Sequence, residues 1–186
     1  MNRLVLSVCL LATTLIANAQ TLLIDPALEG GFELGSTLAA NGWTATNNTT
    51  DGWIVGSAAT PPTGANCAHV SSNGTNYAYS QTSSFVYLYK DLVVPAGEPK
   101  LTLTFDWKCN SEYPSSSTSD WDNLKVFLFP STATFDISSD PSGTQLVGPN
   151  ALPGGDGNYN SATLTWNTET IQFGAVPGQA YKLVFV

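Results

Sequence analysis

The chain has 186 residues, 11% of them charged, with 14 Asp+Glu against 6 Lys+Arg and a formal net charge of −8. That balance excludes the basic stripe that nucleic acid requires, and one His with three Cys leaves little for a zinc site. Hydrophobic residues at 42% and aromatics at 11% exclude a disordered tail, and one domain is the expectation at this length.

The first segment reads as an address. Met1-Asn2-Arg3 is a basic start, residues 4–12 are almost wholly apolar, and Ala17-Asn18-Ala19 offers a small-x-small cleavage site. The apolar stretch is shorter than the ~20 residues a membrane span needs. A signal peptide over residues 1–19, cut after Ala19, is therefore expected, followed by one domain over residues 20–186. Location would be secreted or cell-surface, with no membrane insertion after cleavage. Removing 19 of 186 residues leaves 167, with five Lys against 14 acids and a net charge of −9. A chain of that size buries about 70% of its unfolded surface, enough for a real core. Its acidity disfavours anionic membranes and favours divalent cations or neutral ligands.

Strand signals then follow one another with almost no helical periodicity between them. Short strands are predicted at residues 53–55 and 68–71. Residues 85–94 form a longer one, with Phe85, Tyr87 and Tyr89 on one face and Val86 and Leu88 on the other. In residues 101–108 the odd positions are apolar and the even ones polar, the period of a strand with one buried face. Residues 124–129 are apolar on nearly both faces and predict a central strand. Further strands are predicted at 162–166, 169–173 and 181–186. Asn73-Gly74, Pro95-Ala96-Gly97, Pro153-Gly154-Gly155 and Pro177-Gly178 supply the turns. Short strands with Gly/Pro turns predict an all-β antiparallel sandwich or barrel. The sequence stops inside its last apolar strand, so truncation at the C-terminal strand is expected.

Cys9 leaves with the leader, so an even pair remains, Cys67 and Cys109. In an oxidising compartment they are expected to form a disulfide, which at that separation would contribute about 4 kcal/mol. The alternative is two reduced thiols acting as small hydrophobes.

A family resemblance rests on the order of short motifs. Gly31-Phe32-Glu33, Gly42-Trp43 and Gly52-Trp53-Ile54-Val55-Gly56 come first, then Ala68-His69-Val70-Ser71 and Asn76-Tyr77-Ala78-Tyr79. Tyr89-Lys90-Asp91, Phe105-Asp106-Trp107-Lys108 and Trp121-Asp122-Asn123-Leu124-Lys125-Val126 follow. This order resembles the MAM-like, cleaved-adhesin ("choice-of-anchor") jelly-roll domains of secreted Bacteroidetes proteins, over residues 22–186. The resemblance implies a two-sheet jelly roll, a role in adhesion or ligand binding, a structural calcium and type IX secretion. It implies Glu33 as a calcium ligand, and Asp122 is a second candidate. The family's closing segment has no counterpart after Val186.

Catalytic signals are sparse. The only His, His69, would have to serve any Ser–His–Asp arrangement, and no Gly-x-Ser-x-Gly elbow occurs. Cys67 and His69 share one face of a strand at i and i+2. Without a cleft and an orienting third group they read as structural. Glu33, Asp106, Glu112, Asp120 and Asp122 could pair for glycoside hydrolysis, but nothing in the sequence sets two of them across a bond. Asp156-Gly157-Asn158-Tyr159-Asn160 opens like a calcium loop and then departs from it, so it reads as a turn. Asn47-Asn48-Thr49 and Asn73-Gly74-Thr75 match glycosylation acceptors and also read as turns. Exposed planar aromatics would bind a sugar by stacking, and Tyr87, Tyr89 and Trp121 are the candidates. The alternative is that these rings fill the core.

The function expected is that of a secreted, non-enzymatic module for adhesion or for binding glycan or protein at a cell surface. The alternative is an accessory domain of a larger secreted hydrolase or peptidase.

Overall fold

A computed structural model describes residues 21–80, 83, 85–110, 122–152, 157–161 and 163–186. The expected leader at 1–19, together with Glu112, Asp120, Trp121 and Asp156, lies outside the described residues. The described chain is all-β, with nine strands and a single 3-10 turn at Ala39–Asn41. The strands are β1 (Thr44–Thr46), β2 (Gly52–Gly56), β3 (Cys67–Ser71), β4 (Tyr87–Val93) and β5 (Lys100–Trp107), then β6 (Val126–Pro130), β7 (Thr144–Gln145), β8 (Asn167–Gly174) and β9 (Ala180–Phe185). Among the described residues, no helix is long and apolar enough to cross a membrane.

Every strand pairing is antiparallel. One sheet has the order β1-β4-β9-β6-β7, and two ribbons pair β2 with β3 and β5 with β8. β6 is central, as its two-faced apolar pattern predicts, and Val126, Phe127, Leu128 and Phe129 are all buried. β9 is paired on both edges, with β4 and β6. β5 alternates exposed and inward residues and buries Trp107 at its end.

The main core is the filling of a sandwich-like arrangement. Leu88, Val126, Leu128 and Leu183 come from the five-stranded sheet, and Trp107 and Ile171 from the β5–β8 ribbon. Trp53 and Ala68 of the β2–β3 ribbon pack against the same cluster. A second cluster lies on the opposite face of the large sheet. Tyr87, Phe127, Phe129 and Val184 pack there with Phe85, Tyr89 and Phe135. Residues 131–142 roof that face, so β4 is apolar on both sides for two different reasons.

Three short elements depart from the sequence reading. β1 and β7 carry too few residues for a period to show, and they exist because the sheet offers them an edge. Of the strand predicted at 162–166, the described residues 163–166 are not in a strand. In its place Ser161, Thr163 and Thr165 bond one another through their hydroxyls, a local alternative to a sheet ladder.

Candidate functional site

Acids outnumber cations in this chain, so most carboxylates cannot find a Lys. Two ion pairs are formed among the described residues, Lys125–Asp140 at 2.8 Å and Lys182–Asp91 at 2.7 Å. Other acids accept backbone N–H groups instead, and this fixes the loops around the candidate site. Asp51 is buried and holds Ser80 through its amide and hydroxyl. Glu169 is fully buried on β8 and accepts the Asn150 amide at 2.8 Å and the Thr170 amide at 2.9 Å.

The loop of residues 57–66 joins β2 to β3 and is fastened at both flanks. On one flank Glu33 Oε1 accepts the amides of Ala65 at 2.7 Å and Asn66 at 2.9 Å. The Asn66 and Ala65 amides hold its carboxyl below the usual carboxylate range. An open cleft of about 410 Å³ lies beside it, lined by Pro26, Ala27, Gly31, Glu33, Thr63 and Gly64. On the other flank Lys108 Nζ donates to the Ala59 carbonyl at 3.1 Å, and Trp166 Nε1 donates to the Thr60 carbonyl at 2.7 Å. Thr60 has φ +52°, a left-handed backbone that a β-branched residue adopts only when its surroundings impose it.

Lys108 also joins two rings. Its ammonium lies 5.1 Å from the Tyr77 ring centroid and 5.8 Å from that of Trp166, within cation–π range. Tyr77 is 43% exposed and Tyr79 46%. Among the described residues, the large aromatic surface open to solvent is therefore at Tyr77 and Tyr79, with Trp166 half-buried beside Lys108.

The residues singled out by sequence do not form one site. Tyr87 is 1% exposed, and its ring stacks on Phe135 at 4.9 Å. Its hydroxyl reaches the carbonyls of Asp136 at 3.0 Å and Ser139 at 2.9 Å. Burial, with the nearby Asp140 and Asp136 charges, pushes that phenol up to about 12. Tyr87 therefore presents no ring face for stacking; it is a pillar under residues 131–142. A cleft of about 170 Å³ runs along that roof. Tyr89 is half-buried, tilted against Phe135 at 5.1 Å and covered by the Lys182 ammonium at 5.5 Å. The core alternative weighed for these rings is the one the geometry supports. Trp121 lies outside the described residues.

Asp122 is half-buried, and its carbonyl accepts Asn160 Nδ2 at 3.2 Å. Among the described residues, no group of three or more His, Cys, Asp or Glu side chains is placed to hold a metal. Cys67 and Cys109 are thiols, and no disulfide joins them in this structure. Burial raises the Cys67 thiol above its usual range, while the Ala59 backbone and the Lys108 charge pull it back. His69 is buried on β3, a strand of the two-stranded β2–β3 ribbon.

Sequence reasoning missed Tyr77, Lys108 and Trp166 as a group. Asn76-Tyr77-Ala78-Tyr79 carries alternating rings in a turn-rich stretch, a signal for exposure, but nothing local connects it to a Lys and a Trp far along the chain. No protein-family model, curated protein or solved structure matches this chain.

Proposed function

We propose that this chain is a non-catalytic binding module, a jelly-roll sandwich that takes a neutral glycan at a cell surface on the Tyr77–Trp166 platform. One observation carries the reading. Tyr77 keeps an exposed ring beside Trp166, and Lys108 is held between them by the Ala59 carbonyl. Sugar C–H faces stack on such rings, and a fixed ammonium supplies donors to hydroxyls. The net charge of −8 favours neutral over anionic sugars. The leader-like first 19 residues support secretion, and the antiparallel sheets facing one core support the sandwich.

The test is a glycan array of neutral and acidic oligosaccharides, followed by titration calorimetry on the hits. Tyr77→Ala is the informative variant, because its ring is exposed and its loss does not open the core. The expected result is neutral-sugar binding that weakens about tenfold in Tyr77→Ala. Absence of any glycan hit, or binding unchanged in Tyr77→Ala, would overturn the reading.

A further inference from the structure

Among the described residues, the buried side chain with the most unpaired polar atoms is His69. It is 6% exposed, and neither Nδ1 nor Nε2 has a hydrogen-bond partner among the described residues. A buried polar atom left unpaired loses its hydration without compensation, and one imidazole here carries two. Such a ring calls for a ligand that uses a nitrogen lone pair.

Its neighbours on its own face of β3 are Cys67 and Ser71, of which Cys67 carries a soft donor. Successive side chains of a strand alternate, so Cys67 and His69 point the same way, roughly 6.7 Å apart along β3. Cys67 is 8% exposed. Both side chains converge on Gly56 of β2, which pairs with Cys67 in the ladder. Cys67 Sγ donates to the Gly56 carbonyl at 3.5 Å, and a Cβ placed on Gly56 would sit 3.2 Å from His69 Cε1. Thiol and imidazole thus both approach Gly56, where a side chain would crowd the His69 ring.

We propose that Cys67 and His69 form a two-ligand site for monovalent copper. The choice of ion follows from charge and coordination number. Zinc sites take four ligands, and no third His, Cys, Asp or Glu joins these two among the described residues. Monovalent copper accepts two. Thiolate sulfur and imidazole nitrogen are the donors such an ion prefers. Binding displaces one proton from the Cys67 thiol to solvent and uses one neutral nitrogen of His69. The thiolate and the monovalent ion then cancel, so no net charge is buried. A divalent ion on the same two donors would leave one uncompensated charge buried, which low-dielectric surroundings disfavour. The site is independent of the glycan platform.

The experiment is an anaerobic titration of the full chain with Cu(I), in competition with a chromophoric Cu(I) chelator. One equivalent is expected to bind, and Cys67→Ser and His69→Gln are each expected to weaken it about 100-fold or more. Cys109→Ser is expected to bind as the parent does. The second readout needs no variant at Cys67. Cu(I) is expected to protect Cys67 from alkylation, measured by peptide mass, in the parent and not in His69→Gln. Any of four results would overturn the proposal: no stoichiometric uptake, uptake unchanged in His69→Gln, zinc bound more tightly than Cu(I), or Cys67 already blocked in a disulfide in the purified chain.

Discussion

The indole N–H of Trp166 donates to the Thr60 carbonyl at 2.7 Å, across 106 positions of sequence. That bond and the Lys108–Ala59 bond hold one flank of the 57–66 loop, while the strained Thr60 backbone stores part of their gain. Trp166→Phe keeps an aromatic ring and removes the donor. The expected cost is about 1 kcal/mol in chemical denaturation. The more specific outcome is local: limited proteolysis should cut within residues 57–66 faster in the variant. Equal cleavage rates would show that the loop does not depend on this anchor.

The opposite flank depends on Glu33, whose pKa the Asn66 and Ala65 amides lower. A depressed carboxylate stabilises the fold above its unfolded pKa, and that contribution is lost as pH falls through the folded value. The melting temperature of the parent should therefore drop more steeply below about pH 4.5 than that of Glu33→Gln. The same geometry bears on calcium. Glu33 Oε1 is already engaged by two amides, so chelator treatment should leave the melt unchanged. A chelator-induced drop that disappears in Glu33→Gln would restore Glu33 as a calcium ligand.

What was legible in the sequence was the part governed by local periodicity. The alternation in residues 101–108 gave β5, and the two-faced run at 124–129 gave the buried β6. Gly74, Gly97 and Gly178 all adopt the positive φ that their turn motifs suggest. Long-range coverage was not legible. Tyr87 and Tyr89 lie on the outer face of the large sheet, which a period-2 pattern alone would leave to solvent. Tyr87 is buried and Tyr89 half-buried because Phe135 and the rest of residues 131–142 fold over them. The Tyr77–Lys108–Trp166 group escaped for the same reason, since Tyr77 meets the other two only where its turn reaches the paired ends of β5 and β8. The burial of Glu169 also gave no warning. Its place in β8 is read from alternation, but its partner amide belongs to Asn150 in a different loop.

Glu169 and Gly148 form a tight pair. A Cβ on Gly148 would lie 2.6 Å from both carboxylate oxygens of Glu169. Gly148→Ala should destabilise the chain by about 2 kcal/mol, because the buried carboxylate has little room to retreat. Glu169→Ala should cost about 2 kcal/mol or more, because the Asn150 amide loses its acceptor. The two effects should not add. With Glu169 truncated, the new methyl fills the vacated space, so Gly148→Ala should cost little in that background. Additive denaturation energies in the four-member cycle would refute the contact.

Tyr87 offers a test at the alkaline end. Its hydroxyl has one proton and two carbonyl acceptors, Asp136 and Ser139, so only the protonated phenol suits the site. The phenolate would be buried and would face the Asp140 and Asp136 charges, which is why the pKa rises from 10 to about 12. A pKa raised on folding means the contribution is complete below the unfolded value and is lost as pH climbs through the folded one. Parent stability should therefore fall between about pH 10 and pH 12 relative to Tyr87→Phe. At neutral pH Tyr87→Phe should itself cost about 1 kcal/mol, since two carbonyls lose a donor at the edge of the roof. Ultraviolet tyrosinate absorbance separates this phenol from exposed ones such as Tyr77, because the Tyr87 step should appear last and vanish in Tyr87→Phe. Burial also raises the Tyr159 phenol, so a late absorbance amplitude that is undiminished in Tyr87→Phe is the result that would remove Tyr87 as the pillar of residues 131–142.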